Sequence, residues 1–452
     1  MEWKFRLGCS LILVSCCSCT TYFERENLSK DTLLEQLRLD SNTGNVKFKE
    51  NWWHEYKSDQ LNKFVDESLK QNLSLKISQA RVKEARARAD QYNANRYPII
   101  NSRYTSIKTK DNAGDVTSSE QYSFVPTYSV DLWGANYSLY QSYENKFLAQ
   151  EFLAKSAAMT LISEVISTWL QIQFGLQELQ ILEDQFALYN NILDYQLNNY
   201  MHGVLADQDI LVNQTAVNNY KTKIYQNKLR ISSLKLELAY LIGRPPTDDL
   251  KITIQPLEKV ISLPKKGISS DLIIDRPDIM SAWYELQASD WSLQNSKLNM
   301  LPSFNIALTF SDVALSSILS TWRSIANEVV YNGIDWGRDK ADIATQKASF
   351  ERSIASYLDT VYRAVVEVRN EIIKSEHLSM QIVWLEKQLK LSNSQLSEAK
   401  LNAENGGDVI GVVYKKINMQ NDKLLLLRET EKINLRRIDL YNALGGNIWT
   451  EN

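Results

Sequence analysis

The feature that most constrains this chain is a tandem duplication. Val-Asp-Leu-Trp-Gly at 130–134 recurs as Gly-Ile-Asp-Trp-Gly at 333–337, so Trp133 and Trp336 stand 203 residues apart. Glu164-Val165 recurs as Glu367-Val368, Gly203 as Gly406, and Gly243 as Gly446, all at the same spacing. Pro98 and Pro302 stand 204 apart, so the halves differ in length by one residue between the proline and the tryptophan. Self-similarity of this kind means that one structural unit is built twice, and each half must be explained by the same elements.

Each half has the same order: a helix, a proline, two strand-like runs around a polar loop, then two long helical stretches that meet at a glycine. In the second half Phe304, Ile306, Leu308 and Phe310 alternate with Ser303, Asn305, Ala307, Thr309 and Ser311, the period of a strand with two unlike faces. In the first half Tyr122, Phe124, Tyr128, Val130 and Leu132 alternate with Ser123, Thr127, Ser129 and Asp131. Pro126 interrupts that run and points to an edge or a bend. After Gly134 no proline and only Gly175 intervene before Gly203, a stretch of roughly 100 Å if helical. Val165, Trp169, Ile172, Leu176 and Leu179 follow a 4-3 spacing, resumed by Leu182, Phe186, Tyr189 and Leu193. Leu378, Ile382, Leu385, Leu389 and Leu396 repeat it, with Ser392 in the missing place, which is coiled-coil packing with a phase slip.

The expected layout is mainly α with a small β part. A first repeat over 51–243 carries strands at about 99–110 and 120–132 and helices at about 135–202 and 206–242. A linker over 244–270 leads to a second repeat over 271–452, with strands at about 303–313 and 324–335 and helices at about 338–404 and 409–444. Four strands per chain cannot close a barrel, and open edges inside a membrane leave backbone groups unpaired at several kcal/mol each. Such a chain must borrow strands from copies of itself, and three copies supply twelve.

All four cysteines, Cys9, Cys16, Cys17 and Cys19, lie in the first nineteen residues, which excludes a disulfide framework or a cysteine metal site in the body of the chain. Lys4 and Arg6 precede the short apolar run Leu7 to Val14, the pattern of an export signal over 1–15. Leu13-Val14-Ser15-Cys16 resembles a bacterial lipobox, which makes Cys16 the expected lipidated N-terminus of an extended segment over 16–50, with Cys17 and Cys19 as alternatives. None of the three is followed by Asp, in keeping with sorting to the outer membrane. With 51 basic and 54 acidic residues, a basic stripe for nucleic acid is not expected. His54, His202 and His377 are scattered, and no phosphate loop or metal-spaced cluster appears, so neither catalysis nor a cofactor is expected.

These pieces together resemble a known family, the TolC-like outer-membrane efflux factors, in their lipoprotein branch serving resistance-nodulation-division (RND) pumps. The resemblance rests on Asn51-Trp52-Trp53, Ala80-Arg81-Val82, Ala85-Arg86-Ala87-Arg88, Tyr128 to Gly134, Arg276-Pro277-Asp278-Ile279, and Leu444-Gly445-Gly446 with Trp449. It implies a homotrimer in which a twelve-stranded barrel in the outer membrane continues into a long periplasmic α-helical barrel. Phe304, Ile306, Leu308 and Phe310 then face lipid. The helix turns at Gly203, Asp207 and Asp209 and at Gly406, Gly407 and Asp408 then form the periplasmic tip where an adaptor protein docks, with an inner-membrane pump beyond it. Val409, Ile410 and Gly411 follow Asp408, which departs from the acidic run that such tips often carry. Two alternatives stand beside this reading: a duct for an ABC-type or other exporter, and a periplasmic coiled-coil scaffold lipoprotein.

Overall fold

In a computed structural model, residues 52–110, 112–201, 207–246, 250–255, 274–312, 322–330 and 335–445 are described. After a short 3-10 turn at Trp52–Tyr56 come helices α1 (Asp59–Gln71) and α2 (Leu73–Ala94), then strands β1 (Ile99–Lys110) and β2 (Val116–Val130). The 67-residue α3 (Ala135–Met201) and the 35-residue α4 (Asp207–Leu241) complete the first repeat. The second repeat comprises α5 (Pro277–Leu298), β3 (Ser303–Asp312), β4 (Trp322–Val330), α6 (Arg338–Glu404) and α7 (Val409–Ala443). The repeated helices have identical lengths, 67 and 35 residues, as a duplicated unit requires.

The chain divides into two compact units. One holds Gln79–Leu153 and Pro277–Thr360 and includes an antiparallel sheet in the order β1-β2-β3-β4. Strand β2 begins at Val116, four residues before the expected start, and ends at Val130 because Asp131 turns to cap α3. Pro126 is not at an edge: β2 lies between β1 and β3, and Pro126 stands opposite Ile100 of β1. Its missing N–H shows on the other side, where the β2–β3 pairing steps from Phe124↔Phe310 to Thr127↔Ala307 with no partners between. Strand β4 is described over Trp322–Val330, and 331–334 of the expected strand lie outside the described residues; Asp335 accepts hydrogen bonds from Gly337 N (2.9 Å) and Asp339 N (2.8 Å) at the start of α6.

The other unit holds 52–78 and the described parts of Ala154–Arg276 and Val361–Asn452. Its core centres on Val165, Trp169 and Ile172 of α3, all fully buried, with Leu238 of α4, Ile438 of α7 and Leu61 and Val65 of α1 around them. The first four members of the expected 4-3 stripe thus face inward, at about 1.5–3 kcal/mol for each large apolar side chain removed from water. Trp52 stacks on Tyr441 at 4.3 Å and closes one end of the core. Asn72 joins three elements: its Oδ1 accepts from Leu75 N at the start of α2, and its Nδ2 donates to Leu241 O at the end of α4, both at 2.9 Å. The close packing of α3 on α4 depends on Gly175, where a Cβ would lie 3.0 Å from Ile231 Cγ1.

Candidate functional site

The sheet has two unlike faces. On one, Tyr104 and Tyr122 stand side by side across β1 and β2 with ring centroids 4.7 Å apart, and Phe124 stands opposite Phe310. Phe304, Ile306, Leu308 and Phe310 occupy alternate positions of β3 on that same face, and the register pairs Phe304 with Val329 of β4. The opposite face carries Asn101, Thr105, Gln121, Thr127, Asn305 and Thr309. Among the described positions of the strands, only Arg103 and Glu328 are charged on that polar face. Phe124 and Ile306 of the apolar face are substantially exposed among the described residues. Strands β1 and β4 are the open edges. Among the described residues no helix is long and apolar enough to cross a membrane.

The turn between α6 and α7 is fully described. Gly406 lies at φ +88°, and Gly406 N and Gly407 N donate to Ala403 O (3.1 Å) and Asn402 O (3.0 Å), which terminates α6. Asp408 then caps α7 by accepting from Ile410 N at 2.9 Å. Gly406, Gly407 and Asp408 are therefore one compact reversal. In the first repeat the residues between Met201 and Asp207, Gly203 among them, lie outside the described residues, as do the side chains of Asp207 and Asp209. Cys16, Cys17 and Cys19 also lie outside them.

Polar links between helices were not legible in the sequence. Gln196 of α3, Asn213 of α4 and Tyr414 of α7 meet near these turns: Asn213 Nδ2 donates to Gln196 Oε1 at 2.7 Å and lies 3.4 Å from the Tyr414 hydroxyl. Farther along, buried Glu178 of α3 accepts from Arg428 Nη2 of α7 at 2.6 Å and lies 3.5 Å from Arg230 Nη1 of α4. Arg230 also pairs with Glu431. Burial raises the Glu431 carboxyl above its ordinary range more than the Arg230 charge lowers it. This chain of contacts, Arg428 to Glu178 to Arg230 to Glu431, ties the two repeats together. Among the described residues no cluster of His, Cys, Asp and Glu has the spacing to hold a metal ion.

A second stripe, also missed, runs along α6: Tyr362, Val366, Ile373, Met380, Trp384 and Leu391 are exposed, at steps of four and seven. Its signal in the sequence was this spacing, which the adjacent Leu378 to Leu396 seam obscured.

Comparison with known proteins finds solved structures of the same fold. A family model described as outer membrane efflux protein matches residues 64–244. The matched stretch is the first of the two repeats. It is 23% identical over 473 residues to the "Probable outer membrane lipoprotein SilC" of Salmonella typhimurium, covering 97% of each chain. With the cation efflux system protein CusC of Escherichia coli K12 it shares 22% identity over 414 residues, covering 87% of this chain and 88% of that one. Among solved structures, the Campylobacter jejuni CmeC outer membrane channel superposes with a TM-score of 0.79 at 18% identity, over 94% of this chain and 93% of that chain.

Proposed function

We propose that this protein is the outer-membrane duct of a tripartite export system, a passive channel that carries cargo outward and catalyses nothing itself. The observation that supports this best is the sheet: four strands, an apolar face, a polar face and two open edges. In lipid, an unpaired strand edge costs several kcal/mol for each unsatisfied backbone group, so the sheet closes only by joining other copies. Three copies give a twelve-stranded barrel, with Phe304, Ile306, Leu308 and Phe310 toward lipid and the hydroxyl and amide side chains toward a water-filled lumen. The long helices extend the lumen into the periplasm. Their turns at Gly203 and at Gly406-Gly407 form the end where an adaptor protein docks and couples the duct to an inner-membrane pump of the RND type. Lipid on Cys16 anchors the N-terminal segment to the same membrane.

Cargo choice belongs to the pump. The relatives' names span cations, solvents and pyoverdine at similar identity, so the wall residues do not need to recognise any one of these. A lumen face with only Arg103 and Glu328 as charges in the described strands suits such breadth. Purified protein in detergent should be a trimer and should give discrete, weakly ion-selective conductance in planar bilayers. A monodisperse monomer that is released from membranes by carbonate alone would overturn the reading in favour of a scaffold.

A further inference from the structure

We propose that the helix layer of α2, α3 and α5 carries a binding site for a small soluble molecule bearing a phosphate group, with Arg81 and Lys146 as its unpaired cations. A cavity of about 350 Å³ opens there, lined by Arg81, Glu84 and Arg88 of α2, Tyr143 and Lys146 of α3, and Glu285 of α5. All of these residues belong to the compact unit that holds the sheet.

The charges around the cavity do not cancel. Arg88 Nη2 lies 2.7 Å from Glu84 Oε1, which neutralises that pair. Arg86, on the same helix, is held by Asp90 and Glu144, both at 3.2 Å. Arg81 makes neither a hydrogen bond nor an ion pair among the described residues. Lys146 likewise has no carboxylate at ion-pair distance among them; its ammonium rests 4.4 Å from the centroid of the Tyr143 ring. Burial raises the Glu285 carboxyl above its ordinary range more than the Lys146 charge lowers it, so the attraction between these two is the weaker effect. Two positive charges are left facing one cavity. A phosphate monoester brings close to two negative charges and three acceptor oxygens, and a guanidinium can grip two of those oxygens at once. A carboxylate brings only one charge.

The duplication shows that the fold does not need these charges. Helix α2 maps onto α5 by 204 residues through Pro98 and Pro302, and α3 onto α6 by 203 through Trp133 and Trp336. Arg86 and Glu144, the pair that joins α2 to α3, map onto Asp290 and Lys347: opposite charges again, with the signs exchanged. The cavity positions behave otherwise. Glu84, Arg88, Tyr143 and Lys146 map onto Ala288, Ser292, Gln346 and Ser349, all uncharged. Charges that the same fold omits in its second copy are not there to hold it together. The source of the phosphate follows from position, and this step alone rests on the duct reading. Arg81 lies thirteen residues before the end of α2 at Ala94, roughly 20 Å along the helix. Lipid surrounds the sheet, and its headgroup layer is only about 5–8 Å deep. A lipid phosphate falls short of Arg81, so the ligand comes from solution.

Titration calorimetry of the full-length protein in non-ionic detergent, with glycerol 3-phosphate as the probe, should show saturable binding at one site per chain. Arg81→Gln and Lys146→Gln should each weaken it roughly tenfold, and Arg81→Lys should weaken it less than Arg81→Gln. Lys108→Gln on β1 should leave it unchanged, and acetate should bind more weakly than the phosphate ester. Circular dichroism should show wild-type helix content in every variant, because the second repeat builds its helices without these charges. Heat that does not saturate, an equal loss in Lys108→Gln, or acetate binding as tightly as the ester would each overturn the site. Binding of short-chain phosphatidylglycerol without binding of glycerol 3-phosphate would give the cavity to lipid and overturn the soluble source. Trimer size and conductance are read on the same preparation, so a monomer that binds the ester would sink the duct and spare this site.

Discussion

The α6–α7 reversal allows a perturbation whose two halves act by different physics. Gly406 is held at φ +88°, where an L side chain costs about 1–2 kcal/mol. Gly406→Ala should therefore lower the local opening free energy by about that amount, whereas Gly406→Asn should cost less, because Asn tolerates the left-handed region. Gly407 is not strained in φ but is crowded: a Cβ there would sit 2.7 Å from Asn402 O, the carbonyl that accepts the Gly407 N–H. Gly407→Ala must displace that bond, a loss of about 0.5–1.5 kcal/mol, and shift the last turn of α6 as well. Amide exchange followed by mass spectrometry over residues 400–415 should quicken by about 5–30-fold in Gly406→Ala, less in Gly406→Asn, and at least as much in Gly407→Ala. Peptides around Trp169 should not change, since the turn contributes nothing to that core. If Gly406→Asn exchanges as fast as Gly406→Ala, or if the Trp169 peptides quicken equally, the local account is wrong. Under the proposed function Gly407→Val should also reduce export with trimer yield intact; loss of trimer with normal export per trimer would move the docking end elsewhere.

Three further outcomes are expected. Glu178→Gln removes the charge that binds Arg428 and Arg230; because Arg428 is 52% exposed, the loss should be about 1–2 kcal/mol and should appear as a lower melting temperature by circular dichroism, an unchanged temperature counting against the network. For Glu431, the folded-state carboxyl lies above its ordinary 4.5, so the folded chain binds this proton more tightly than the unfolded one, and the group's cost to stability appears as pH rises above about that value. The stability of wild type relative to Glu431→Gln should therefore fall between pH 4 and 7, and a rise across that window would refute the sign. Cys16→Ser should abolish lipid attachment at the mature N-terminus, and a native N-terminus found unmodified beyond Cys19 by mass spectrometry would refute lipidation there.

The sequence by itself determined the duplicated plan, because helix and strand periods, the scarcity of proline and the glycine reversals are local properties that each half states twice. It also placed the alternation of Phe304 to Phe310, since a period of two assigns faces without any partner. What only the tertiary structure decided was which element each residue meets. Pro126 reads as an edge or a bend in isolation, and only the structure excludes the edge: β2 lies between two strands, and the missing N–H is accommodated where the β2–β3 pairing skips. Asp131 and Asp335 read as strand or turn positions, but their carboxylates cap α3 and α6. Glu178, Arg230, Arg428 and Glu431 look like ordinary solvated helix charges until three helices bring them together. Periodicity records how a residue is presented by its own backbone. The strand register, the buried ion pairs and the exposed stripe on α6 depend on contacts between segments distant in the chain, where the loss of water and the pairing of backbone edges set the energy.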